Sequence, residues 1–139
     1  MQNRVLLGLV IVFALGCGGG RSFSPVSGKV TLNGVPLDGA TVNFQPIAPE
    51  GAIDAGPGSS GKTNANGEFT LTTITGLSGA TVGTHRVMIS LLQTAPGTGD
   101  ERHVRLMNLV PPQYGADGDL TREVVAGTNN VFDFPLTSP

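Results

Sequence analysis

Gly56-Pro57-Gly58-Ser59-Ser60-Gly61-Lys62-Thr63 satisfies the phosphate-cradling pattern G-x-x-x-x-G-K-[ST] letter for letter. That pattern works where a buried strand hands over to a helix N-terminus, whose amides and dipole hold the phosphate. Here Pro49 to Ala55 reads as no strand and Thr63 to Thr72 reads as turn plus strand, so the expectation is a flexible loop entering a hairpin, with no nucleotide bound. Asn64-x-Asn66-Gly67 has a faint calcium-loop spacing. Aligning Gly67 with the sixth loop position puts Lys62 first and Thr73 twelfth, where carboxylates are required, so no metal is expected. His85 and His103 stand eighteen residues apart with no H-E-x-x-H and no second Cys, which reads as a strand residue and a loop residue. G-x-S-x-G is absent, and with it the local signature of one large class of hydrolases. Asp100, Glu101, Arg102, His103 and Arg105 form a mixed-sign cluster, the best polar patch and the candidate binding loop.

The remaining chemically distinctive residue is Cys17, the single cysteine. A lone thiol makes no internal disulfide, and its setting gives it another use. Met1 to Arg4 carries one positive charge, Val5 to Leu15 is an unbroken apolar run, and Ala14-Leu15-Gly16-Cys17 follows. This is signal-peptide architecture, and eleven helical residues reach only ~17 Å, short of a ~30 Å hydrocarbon core. The tetrapeptide resembles the lipobox of bacterial lipoproteins, which implies a diacylglyceryl group on Cys17 and a mature chain starting there. Two or three acyl chains at ~0.8 kcal/mol per buried CH₂ give stable anchoring. The expected division is a signal peptide over 1–16, lipidated Cys and flexible tether over 17–24, and one domain over 25–139. No acidic residue follows Cys17 directly, which by the same resemblance favours an outer membrane or periplasmic placement.

Composition sets the elements that must position these residues. Among 139 residues there are 21 Gly and 10 Pro, while 13% are charged, so long helices laced with ion pairs are disfavoured. Without residues 1–16, seven basic residues stand against ten acidic, which offers no face to nucleic acid. Val26, Gly28, Val30 and Leu32 alternate with polar residues before an Asn33-Gly34 turn, and Val35 to Gly39 reads as a broad connection. Val42 and Phe44 mark a second strand that Pro46 and Pro49 end. Ile47 to Gly61 reads as a loop, and Glu68 to Thr73 as a strand with Phe69 and Leu71 inward. Thr84 to Leu92 is the strongest strand and is expected at the centre. Thr94 to Asn108 reads as a long loop, and Leu120 to Val125 with Val131 to Leu136 as a closing hairpin. The sum is an all-β chain, an antiparallel β-sandwich of about seven strands, Ig-like in size and rhythm.

Val26-x-Gly28-x-Val30, Gly34-x-Pro36-Leu37-x-Gly39-Ala40-x-Val42-x-Phe44 and Gly61-x-Thr63-x-Ala65-x-Gly67-x-Phe69-x-Leu71 resemble the carboxypeptidase regulatory-like, transthyretin-like β-sandwich domains. Val110-Pro111-Pro112-Gln113-Tyr114, Leu120-Thr121-x-Glu123-Val124, Gly127-x-Asn129 and Phe132-Asp133-Phe134-x-Leu136 are similar to the closing half of small bacterial lipoproteins carrying that domain. The resemblance implies an extracytoplasmic, non-catalytic interaction or structural module of the cell envelope, without a cofactor. Its partners would be a membrane, through Cys17, and an envelope protein or glycan. The transthyretin-fold hydrolases of 5-hydroxyisourate end in Tyr-Arg-Gly-Ser, whereas this chain closes on Phe134-Pro135-Leu136-Thr137-Ser138-Pro139. Tyr114, the single tyrosine, is expected to cap the sandwich as a corner tyrosine; the competing role is a stacking platform for an envelope carbohydrate.

Overall fold

The computed structural model describes residues 20–96 and 105–139, and they form an all-β, sandwich-like fold. Strand β1 (Phe23–Ser24) leads into β2 (Val26–Leu32), where Val26 and Val30 are buried and Lys29 is exposed, as a period of two demands. Asn33 (φ 51°) and Gly34 (φ 82°) make a two-residue turn that folds β3 (Val35–Pro36) back on Leu32 and Thr31. The expected broad connection is therefore a tight hairpin, because two consecutive positive φ values match the twist of the flanking strands. β4 (Thr41–Pro46) buries Val42, Phe44 and Pro46 and stops at the proline.

The Gly- and Ser-rich stretch expected to stay a loop as far as Gly61 becomes β5 (Ser59–Lys62), paired with β4 so that Gly61 faces Val42. Gly61 is required by contact: a Cβ there would lie 2.1 Å from the Thr70 carbonyl oxygen. The run from Glu68 to Thr73 splits into β6 (Glu68–Thr70) on β2 and β7 (Thr72–Thr73) on β5. Phe69 and Leu71 are buried as expected, and at Leu71 the chain passes from one sheet to the other. β8 (Ala80–Thr81) pairs with β1, and the Val82 amide donates to the Ser22 carbonyl at 2.9 Å. Residues 22–24, assigned by sequence to the tether, are thus bonded into the fold, which starts earlier than residue 25.

β9 (Gly83–Ser90) lies between β4 and β12, the central place its pattern implied. β10 (Leu92–Thr94) and β11 (Leu106–Asn108) pair with each other, so the two ends of the expected 94–108 loop are a ribbon. β12 (Thr121–Val124) and β13 (Asn130–Leu136) do not form the expected hairpin. β12 runs antiparallel beside β9, while β13 runs parallel beside β2, so the short connection between them crosses from layer to layer. This parallel pair departs from the all-antiparallel expectation.

The larger sheet has the order β12-β9-β4-β5-β7; the smaller has β13-β2, with β3 and β6 along the other edge of β2. Phe44 of one sheet and Phe134 of the other meet edge to face at 6.3 Å in the core. The switch at Leu71 closes one side of the sandwich, and β12 and β13 are the unpaired edges of the other. A single 3-10 turn, Pro112–Tyr114, is the only helical element among the described residues.

Candidate functional site

Cys17, Asp100, Glu101, Arg102 and His103 lie outside the described residues. Arg105 is described: it is exposed just ahead of β11, at the end away from the core, and its carbonyl accepts from the Ala95 amide at 2.8 Å. The other sequence candidates are spent on structure. Lys62 ends β5 and Thr63 follows it, rather than opening a helix, and the Thr63 hydroxyl is a buried strut. It donates to the Leu37 carbonyl at 2.5 Å and accepts from the Ala40 amide at 2.8 Å, so it holds the turn beside β4. The Asn64 carboxamide oxygen accepts from the Asn66 and Glu68 amides, both at 3.0 Å, an Asx turn that occupies the group a calcium ion would need. Among the described residues no three His, Cys, Asp or Glu side chains gather in a metal-holding arrangement.

His85 stands on the core face of β9, in step with Val87 and Ile89, and has no exposed surface. Its Nε2 donates to the Thr81 carbonyl at 2.6 Å, leaving Nδ1 as a buried acceptor without a hydrogen-bond partner among the described residues. Burial holds its pKa below the ordinary imidazole range, opposed in part by the Thr81 and Phe44 backbone. The side chain paired with it across β12 is Arg122, so no carboxylate there favours a charged ring. The result is a neutral imidazole packed 5.5 Å from the Phe44 ring.

Tyr114 packs against the core, and its hydroxyl accepts from the Thr137 amide at 3.2 Å, with the Thr137 hydroxyl at 3.4 Å. Its ring therefore fastens the C-terminal segment to the 3-10 turn. The Thr137 side-chain contact does most to hold the Tyr114 pKa below the ordinary phenol range. At the chain's entry, Arg21 and Asp54 pair at 2.6 Å. The Gly56 amide donates to the same carboxylate at 2.8 Å and, with Arg21, holds the Asp54 pKa below the usual carboxylate range.

What sequence reasoning missed is a polarity of the whole domain. Pairing of Phe23 with Thr81, of Val124 with Gly83 and of Asn130 with Pro25 gathers the entry of the chain at one pole. β9 then runs eight residues, ~26 Å, to the opposite pole, where the β10–β11 ribbon projects. All six ribbon residues are exposed; Leu92 and Leu106 keep 60% and 59% of their surface in solvent, and Met107 keeps 44%. At its foot the Asn108 carboxamide oxygen accepts from the Leu91 and Val110 amides at 2.9 and 3.1 Å, which fixes where the ribbon leaves the core. The available signal was the apolar content of Leu106-Met107-Asn108-Leu109 in a stretch read as polar loop. Comparison with protein families, with curated proteins and with solved structures finds no match for this chain.

Proposed function

We propose that this protein is a lipid-anchored, non-catalytic module on the extracytoplasmic side of the cell envelope, which presents its distal ribbon to an envelope protein. The observation that carries the reading is the opposition of poles: the chain enters at Ser22–Ser24, and the apolar ribbon lies a full strand length away. An anchor at Cys17 would leave only a few residues before the bonded entry, so the ribbon would face away from the membrane and toward a partner. An exposed apolar ribbon on a sparsely charged domain suits protein contact. A non-catalytic role is supported by His85, whose Nε2 is spent on Thr81 and whose ring meets no solvent.

The test is cross-linking in intact cells with the wild-type chain as bait, beside Cys17→Ser and the ribbon variant Leu92→Glu/Leu106→Glu. The expected result is one abundant protein partner, lost from both variants, with acyl chains found on Cys17 by mass spectrometry. A mature chain free in the soluble fraction with an unmodified Cys17 overturns the anchor. Undiminished capture by the ribbon variant overturns the role of the ribbon.

A further inference from the structure

At the entry pole two contiguous depressions, of about 460 and 390 Å³, share Pro25 and Asn129 as common walls. Each falls within the ~300–1,000 Å³ of small-ligand sites. The topology creates them. Where the chain leaves β2 for β5 at Leu71, the smaller sheet loses its neighbour strand, and the β1–β8 pair rises beside the gap. Gly79 makes this close fit possible: its φ is +93°, and a Cβ would sit 2.0 Å from the Ser24 carbonyl oxygen.

The lining carries hydroxyl and carboxamide groups. Ser27, Thr70, Thr72, Ser78 and Asn129 border the larger depression, and none of their side chains hydrogen-bonds within the protein among the described residues. Thr63, Thr73, Asn64, Asn108 and Asn130 commit their side chains to the fold, whereas the exposed Thr70, Thr72, Ser78 and Asn129 keep theirs available to a ligand. No charged side chain lines either depression. Charged residues stand one pair further along the smaller sheet, where Lys29 lies between Asp133 and Glu68. Phe23, half-buried, walls the smaller depression and offers a ring.

We propose that this double groove is a binding site for a neutral saccharide. Each serine or threonine hydroxyl both donates and accepts, which complements a ligand whose own polar groups are hydroxyls. The absence of charge in the lining selects against anionic sugars, and Phe23 and Pro25 supply the apolar surface that the C–H face of a pyranose covers. β2, the floor of the groove, is paired on both sides, so an added strand would have to use the free edge of β13, and an extended peptide is one arm of the test. The site stands whether or not Cys17 carries lipid and whether or not the ribbon binds a protein.

The test uses the full chain extracted in a detergent that carries no sugar, with maltose, cellobiose and chitobiose as probes. Saturation transfer from protein to ligand is read for the wild type and for Thr70→Val/Asn129→Ala, whose thermal midpoint is checked against the wild type. At least one disaccharide is expected to receive transfer, with affinity falling about ten-fold in the double variant as two polar contacts are lost. The proposal is overturned if none of the three receives transfer at millimolar concentration, or if transfer is unchanged in the folded double variant. Binding of an uncharged extended tetrapeptide at the same residues, in place of the sugars, also overturns it.

Discussion

The guanidinium carbon of Arg122 lies 5.0 Å from the centre of the Phe134 ring, and the two residues belong to opposite sheets. They bridge the side of the sandwich where β12 and β13 are both edges, whereas the other side is closed covalently by the passage through Leu71. A cation over an aromatic face contributes ~0.5–2 kcal/mol depending on desolvation, and the arginine stem adds apolar cover. Arg122→Ala is therefore expected to lower unfolding free energy by about 1–2 kcal/mol in urea, with Arg122→Met recovering part of the loss. Equal loss in both variants would show that the stem contributes nothing and that charge alone acts.

Close backbone approach makes a second expectation, at Gly28. A Cβ there would lie 1.8 Å from the Phe132 carbonyl oxygen and 3.0 Å from the Phe69 ring, so Gly28→Ala must push β13 away from β2. We expect a loss of about 3 kcal/mol, at the upper end of overpacking costs. Gly76 provides the contrast: its φ is +89°, yet a Cβ would meet nothing within 4 Å. Gly76→Ala is expected to cost only the left-handed backbone strain, about 1 kcal/mol. Thermal midpoints of the two variants, measured side by side, separate contact from conformation.

The sequence made the single strands legible and hid their partners. Alternation puts Val26 with Val30, Val42 with Phe44 and Val87 with Ile89 on a common face of each strand, and all six are buried. A period of two reports which face a residue takes, and says nothing about which neighbour its backbone bonds. Hence β12 and β13 looked like one hairpin, although the Ala126-Gly127-Thr128-Asn129-Asn130 connection carries the chain between sheets. His85 shared the phase of Val87 and could have been placed in the core on that ground. The groove at Pro25 was not legible at all, because its lining comes from four stretches of chain joined only by the fold.

Asn130 is the residue that sets this crossing. Its Oδ1 accepts from the Val125 amide at 2.9 Å, and its Nδ2 donates to the carbonyls of Val125, Thr128 and Pro25 at 3.1, 3.2 and 3.3 Å. A buried carboxamide that satisfies the loop and the start of β2 together cannot be removed without orphaning backbone groups. Asn130→Ala is expected to cost about 2–3 kcal/mol, while Asn129→Ala, next to it and outside the network, stays within about 0.5 kcal/mol of the wild type. Chemical denaturation of both variants checks the difference, and equal costs would remove the network from the explanation.

His85 yields a pH dependence whose sign follows from its surroundings. The folded state holds the imidazole below its ordinary value of 6.5, so between that lowered value and 6.5 the unfolded chain binds more protons than the folded one. Stability then rises with pH across this window and is lost as pH falls through it, with a slope of at most about 1.4 kcal/mol per pH unit for one proton. Acidification would place a second cation opposite Arg122 in a site without a facing carboxylate on β12, which reinforces the direction. His85→Gln keeps a donor for the Thr81 carbonyl while abolishing the titration. Thermal midpoints from pH 4.5 to 7.5 should climb in the wild type and flatten in His85→Gln over the same range. The carboxylate Asp54, whose pKa is lowered from 3.8 by the Gly56 amide and by Arg21, loses its contribution only at more acid pH, so it leaves this comparison undisturbed. If the two curves run parallel, proton uptake at His85 is not what limits stability in mild acid.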